Sequence, residues 1–221
     1  MNELLEITAK DNHQFSAYIS QPPEKPKAGI VIIQEIFGVN IHIKEVTDLY
    51  ASKGYLCIAP SLFDRIEKNV VLNYDENGVS RGRELKELCD KHALKDIEAS
   101  ISVVNSSGKV GIIGYCWGGS LSWRIACESS DLSASVCYYG GDIPKLRDLK
   151  PKCNVLTHFG ELDKGIPIKD VKIFEEKRPE VLTYKYPADH GFNCDHRSQF
   201  NEKCANIALD RTLKFLEENI T

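Results

Sequence analysis

The chain has 221 residues, 42% hydrophobic and 27% charged, with a formal net charge of −4. That length suits one sizeable α/β domain with a buried core, and the composition excludes a disordered or fibrous chain. The weakly acidic balance offers no footprint for nucleic acid or an anionic membrane surface, and no apolar run reaches the roughly 18 residues of a membrane span.

The eight cysteines are Cys57, Cys89, Cys116, Cys127, Cys137, Cys153, Cys194 and Cys204. They are scattered, without CxxC pairs, and several fall inside apolar runs. The first residues, Met1 to Glu6, lack a basic region followed by an apolar core, so no signal peptide is visible. Free thiols in a reducing cytoplasm are therefore expected, not a disulfide framework.

In chain order, Leu4 to Thr8 and Gln14 to Ile19 alternate apolar with polar residues around Asp11-Asn12. That pattern predicts an antiparallel hairpin at a sheet edge. The proline-rich connection Gln21 to Lys27 leads into Ala28 to Ile33, a β-branched run expected of a strand covered on both faces. A loop, Gln34 to Asn40, precedes a helical period over Ile41 to Lys53 that stops at Gly54. Tyr55 to Ala59 reads as the next strand. Ser61 to Gly78 is polar and irregular, as functional rims often are. Arg81 to Val104 carries leucine and isoleucine at helical spacing. Strands are then expected at 110–113, 133–139, 154–159 and 181–186, and helices at 121–127, 166–177 and 205–218. Strands alternating with helices from residue 28 onward define an α/β fold with a mostly parallel central sheet, helices on both faces and an N-terminal antiparallel hairpin. No linker or repeat interrupts it, so residues 1–221 are expected to form a single domain.

Within that frame, Val110 to Ile113 runs into Gly114-Tyr115-Cys116-Trp117-Gly118 and then a helix. This is the strand–turn–helix layout of a nucleophile elbow, with cysteine where hydrolases more often carry serine. Gly114 and Gly118 remove side chains that would collide at so sharp a turn. The sulfur is thereby expected at the N-terminal end of a helix, a place that favours thiolate. The spacing does not fit a dinucleotide or P-loop turn.

A thiol nucleophile needs a base, and the base needs a group to orient it. The chain order nucleophile, acid, histidine is met by Cys116, Asp163 and His190, each following a predicted parallel strand. Asp189 and Asp195 are rivals for the acid, although Asp189 adjoins His190 and would normally point away from its ring. Of the six histidines, His13, His42, His92 and His196 read as solvated and His158 as core. His190, Cys194, Asp195 and His196 are spaced irregularly for metal ligation, so no metal is expected. Backbone N–H groups of Trp117 and of Ile36 are the expected oxyanion donors.

Gln34-Glu35-Ile36-Phe37-Gly38, Gly114-Tyr115-Cys116-Trp117-Gly118-Gly119, Tyr138-Tyr139-Gly140 and His190-Gly191-Phe192 together resemble the dienelactone hydrolase family, over almost the whole chain. The resemblance implies an α/β-hydrolase fold, no cofactor, and a Cys–His–Asp triad on Cys116, His190 and Asp163. It also implies hydrolysis of enol-lactones such as dienelactone. Glu35 matches a glutamate that in the family contacts the nucleophile and helps control its ionisation. One departure stands out. Members hold the substrate carboxylate with arginines, one of them at the position of Cys194 here. The nearest arginine is Arg197, with Arg81 and Arg83 candidates from the rim. Loss of a bidentate partner means that dienelactone itself need not be the substrate.

The expected protein is a cytoplasmic, monomeric hydrolase of small-molecule esters or lactones, working through a thioester. It needs no cofactor and binds neither nucleic acid nor membrane. The alternative is a low-activity binding or redox-sensing protein on the same fold.

Overall fold

The computed structural model describes residues 2–221; Met1, part of the N-terminal segment read above, lies outside them. The chain divides into two compact units, Met1–Ile112 and Ile113–Thr221.

The first unit opens with β1 (Asn2–Thr8) and β2 (Gln14–Ser20), paired antiparallel with Leu4 opposite Tyr18. Asn12 takes φ +65° at the turn, a conformation asparagine tolerates better than most residues. With β3 (Gly29–Ile33) and β4 (Leu56–Pro60) the strand order is β1-β2-β4-β3, antiparallel between β2 and β4 and parallel between β3 and β4. Every residue of β3 is buried, which is why its sequence is continuously apolar. Helix α1 (Ile41–Ser52) starts where Asn40 Oδ1 accepts from the Ile43 N–H at 3.2 Å, and it packs on β4. Helix α2 (Glu76–Val104) packs on β3 and β4. It starts earlier than its apolar period predicts, because the Asp75 carboxylate caps the Gly78 N–H at 2.7 Å. The irregular stretch before it contains a 3-10 turn, Leu62–Arg65.

That turn carries the main polar tie of the unit. Arg65 donates to both oxygens of Asp96 on α2 at 2.7 and 2.8 Å and to both oxygens of Asp11 in the hairpin turn at 3.0 and 3.1 Å. Asp96 is fully buried; burial pushes its carboxyl pKa up, and the Arg65 guanidinium pulls against that. His42 is buried on the inner face of α1, not solvated as its polar neighbours suggest. Strand β5 (Val110–Tyr115) crosses from the first unit into the second.

In the second unit the order is β5-β6-β7-β8, with β6 (Ala134–Tyr138), β7 (Asn154–Gly160) and β8 (Leu182–Tyr186) all parallel. Helices α3 (Trp117–Glu128), α4 (Ile168–Lys177) and α5 (Glu202–Ile220) complete it. Strand alternation places α3 and α5 on opposite faces. Ser135 Oγ donates to the Ser122 carbonyl of α3, whereas the Tyr138 hydroxyl meets Thr212 of α5. Backbone bonds align the strand ends: the Cys116 N–H donates to Tyr138 O, Tyr139 N–H to His158 O, and Glu161 N–H to Tyr186 O. The loops after β5, β7 and β8 therefore leave the sheet at one edge. Among the described residues no helix is long and apolar enough to cross a membrane.

Replacing Arg65 by methionine strands the Asp96 charge without a partner in the interior. The expected cost is about 3–5 kcal/mol of unfolding free energy, read as a lower urea midpoint, and an unchanged midpoint contradicts the role given to this tie.

Candidate active site

Cys116 sits between β5 and α3 with φ +56° and ψ −114°. A side chain at positive φ is strained unless its surroundings hold it. Gly114 makes the turn possible: a Cβ there would lie 2.0 Å from the Gly118 carbonyl oxygen and 2.4 Å from Ser122 Oγ. Gly119 shares the task, since a Cβ on it would come within 2.5 Å of Tyr138 O. The sequence reading named Gly114 and Gly118 but missed Gly119. Its signal was present in the Gly-Gly pair. The Cys116 sulfur is half-buried at the head of α3, and Trp117 is the first residue of that helix. The first N–H groups of a helix lie outside its own hydrogen-bond ladder.

The loop after β7 carries Asp163, whose side chain is 2% exposed. One carboxylate oxygen accepts from the Gly165 N–H at 2.8 Å and the other from His190 Nδ1 at 2.6 Å. His190 stands in the loop after β8 and its ring is 27% exposed. Cys116 is its hydrogen-bond partner on the other side. Burial works to lower the His190 pKa, but the charge of the Cys116 sulfur and the hydrogen bonds to Asp163 and Cys116 outweigh it and hold the pKa at about 10. The rival acids are otherwise occupied. Asp189 accepts from the backbone N–H of His190 itself at 2.7 Å, and Asp195 lies 3.7 Å from His196.

The ring of His190 rests against Tyr139, centroids 5.0 Å apart, and Tyr139 meets Phe192 edge-on at 5.6 Å. Tyr139, with φ +38°, was part of a motif that carries the resemblance but was given no role in the site, although it follows β6 as Cys116, Asp163 and His190 follow their strands. Cys194 is buried. The Arg197 guanidinium packs on the His190 loop: a Cβ on Gly191 would lie 2.7 Å from Nη1.

Ile36 and Glu35 belong to the first unit, in the loop after β3. Both are buried, and Glu35 Oε2 accepts from the Tyr74 hydroxyl at 3.1 Å, which in turn accepts from Asn40 at 3.0 Å. Arg81 pairs with Glu67 and Glu84, and Arg83 is exposed on α2.

These observations define an enzyme of the α/β-hydrolase class. The crystal structure of a Klebsiella pneumoniae protein, provisionally described as a dienelactone hydrolase, superposes with a TM-score of 0.82 over 99% of this chain and 98% of that one, at 25% identity. A dienelactone hydrolase-like promiscuous phosphotriesterase from metagenomic libraries shares the fold at TM-score 0.78 and 18% identity, over 100% and 99% of the two chains. Carboxymethylenebutenolidase of Pseudomonas putida is 31% identical over 98% of this chain and 96% of its own. The dienelactone hydrolase family profile matches residues 15–220, and the chain belongs to that family. It is accordingly a hydrolase acting on esters or lactones.

The fold favours the protonated form of His190. Its folded pKa stands above the ordinary 6.5, so proton binding favours the folded state. That contribution is complete below pH 6.5 and fades as pH rises through about 10. Imidazole NMR titration is expected to show a midpoint near pH 10 in the native protein. In Asp163→Asn the midpoint falls by about 1 unit or more. An unmoved midpoint contradicts the pairing.

Proposed function

We propose that this enzyme hydrolyses small esters or lactones by a Cys116–His190–Asp163 triad through a thioester intermediate. The single observation that carries the reading is the strained cysteine hydrogen-bonded to a histidine that Asp163 holds on its other side. With its pKa at about 10, His190 carries a proton at neutral pH.

In the first half-reaction Cys116 Sγ attacks the carbonyl carbon, and the carbonyl oxygen takes the negative charge. The Trp117 amide, at the head of α3, donates to it. Collapse breaks the ester C–O bond, and the leaving oxygen takes the proton of His190. Water then gives a proton to His190 and attacks the thioester carbon. Collapse breaks the C–S bond, Cys116 leaves as thiolate with the imidazolium restored, and the product departs as a carboxylic acid that releases the second water proton to solvent. Asp163 holds the ring in place through its hydrogen bond to Nδ1. All eight cysteines are free, which supports a reducing compartment.

Cys116→Ala is expected to lower kcat/KM on short-chain esters and lactones by at least about 10³-fold. Rapid quenching of the native enzyme should give an acylated Cys116 peptide by mass spectrometry. Full activity in the alanine variant rejects the reading, and it equally rejects a thioester.

Arg197, packed on the His190 loop, supports a substrate that carries its own carboxylate. Arg197→Gln should raise KM for carboxylated esters by about tenfold and leave neutral esters unaffected. Equal effects on both classes exclude this selectivity.

A further inference from the structure

His158 is fully buried in β7 and takes no part in the proposed chemistry. Its surroundings form a closed polar chain. Nδ1 meets the Tyr186 hydroxyl at 2.8 Å, and Nε2 meets Thr212 Oγ1 at 3.0 Å. Thr212 Oγ1 continues to the Tyr138 hydroxyl at 2.8 Å. Four elements are thereby joined: β6, β7, β8 and α5.

The Arg211 guanidinium lies 3.9 Å from the Tyr184 ring centroid and 5.3 Å from that of Tyr186. A neutral imidazole carries one N–H, so His158 donates to one of the two hydroxyls and accepts from the other. This arrangement needs a neutral imidazole. Burial, assisted by the positive charge of Arg211, drives the His158 pKa down to about 3.

The chain ends where the site begins. Tyr186 is the last residue of β8 and lies opposite Gly160, the last of β7. Asp163 follows one strand and His190 the other. Backbone bonds lock the two loops together, with Leu162 N–H donating to Ala188 O at 3.0 Å. The Tyr186 ring also carries Phe192, at 5.1 Å between centroids, and Phe192 meets Tyr139, on which the His190 ring rests. A shift of Tyr186 would thus move both the floor under His190 and the loop bearing its carboxylate.

We propose that His158 is a positioning residue, which fixes Tyr186 and thereby sets the His190–Asp163 distance. The inference rests on the triad reading for its effect on turnover. Its effect on His190 itself needs no turnover.

The test compares His158→Leu, His158→Gln and Tyr186→Phe with the native enzyme, all well below their melting midpoints. Leucine fills the space without hydrogen bonds, glutamine retains a donor and an acceptor, and Tyr186→Phe deletes one hydroxyl while keeping the ring. His158→Leu and Tyr186→Phe are expected to lose roughly 10- to 100-fold in kcat, with KM held within about twofold. The His190 midpoint, followed by NMR, should drop by at least about 0.5 unit as Asp163 loosens. Glutamine should restore much of both. If His158→Leu fails to fold, Tyr186→Phe supplies the same readings. Lower melting temperatures with unchanged kcat and an unchanged His190 midpoint overturn the proposal and leave His158 as core packing. Should Cys116→Ala stay active, the triad reading fails, while the NMR midpoint still decides the role of His158.

Discussion

A cysteine held at φ +56° is the constraint on which the site is built. Such a conformation costs of order 1–3 kcal/mol and persists only where the fold over-determines it. Here the over-determination is visible. The Cys116 N–H is committed to Tyr138 O, its carbonyl accepts from the Ser120 N–H in the first turn of α3, and two glycines clear the space around the bend. The strand cannot relax without losing a ladder bond, and the helix cannot relax without losing its first turn. The strain therefore falls on the one residue whose side chain must leave the sheet plane and stand at a helix head. Geometry of this kind exists before any substrate arrives, so the orientation of the sulfur is met by folding free energy and not by binding energy.

Two histidines of the same unit show how much neighbours decide. Both are drawn downward by burial. His158 has a positive charge nearby and only neutral hydrogen-bond partners, and its pKa falls to about 3. His190 has the Cys116 sulfur on one side and the Asp163 carboxylate on the other, and its pKa rises to about 10. One ring is permanently neutral and can serve as a fixed link between hydroxyls. The other keeps its proton well above neutral pH. Burial is common to both; the sign of the adjacent charge separates a structural part from a reactive one.

Much of this was legible in the chain. Strands were located by two patterns: a continuous apolar run where both faces are covered, as in β3, and alternation where one face is open, as in β2. Helix starts were less accurate. The apolar period of α2 begins well inside the helix, and only the Asp75 cap marks where it opens. Likewise α3 starts at Trp117, since its first turn is glycine-rich and shows no amphipathic period. Cys116, Asp163 and His190 could be chosen because each follows a strand and their order is constrained. Tyr139 could not, because its part depends on a ring stacking across two loops. Nor could the His158 chain be foreseen, since Tyr138, Tyr186 and Thr212 are remote in sequence and meet it only once α5 lies against the sheet. His42 failed for the opposite reason: polar neighbours along a helix point elsewhere, and its own face turns inward.

Family membership fixes the class of reaction more firmly than the substrate, and the loop after β8 shows why. Cys194, at the position where the family resemblance implies an arginine, is fully buried and closes a turn by donating its N–H to Gly191 O at 2.9 Å. A buried thiol cannot replace a planar, bidentate cation. The next turn, closed by the Arg197 N–H on Cys194 O at 3.1 Å, brings a guanidinium back onto the same loop from a different Cα. The guanidinium on this loop thus starts from a Cα three residues further along the chain, and its approach differs from that of an arginine at position 194.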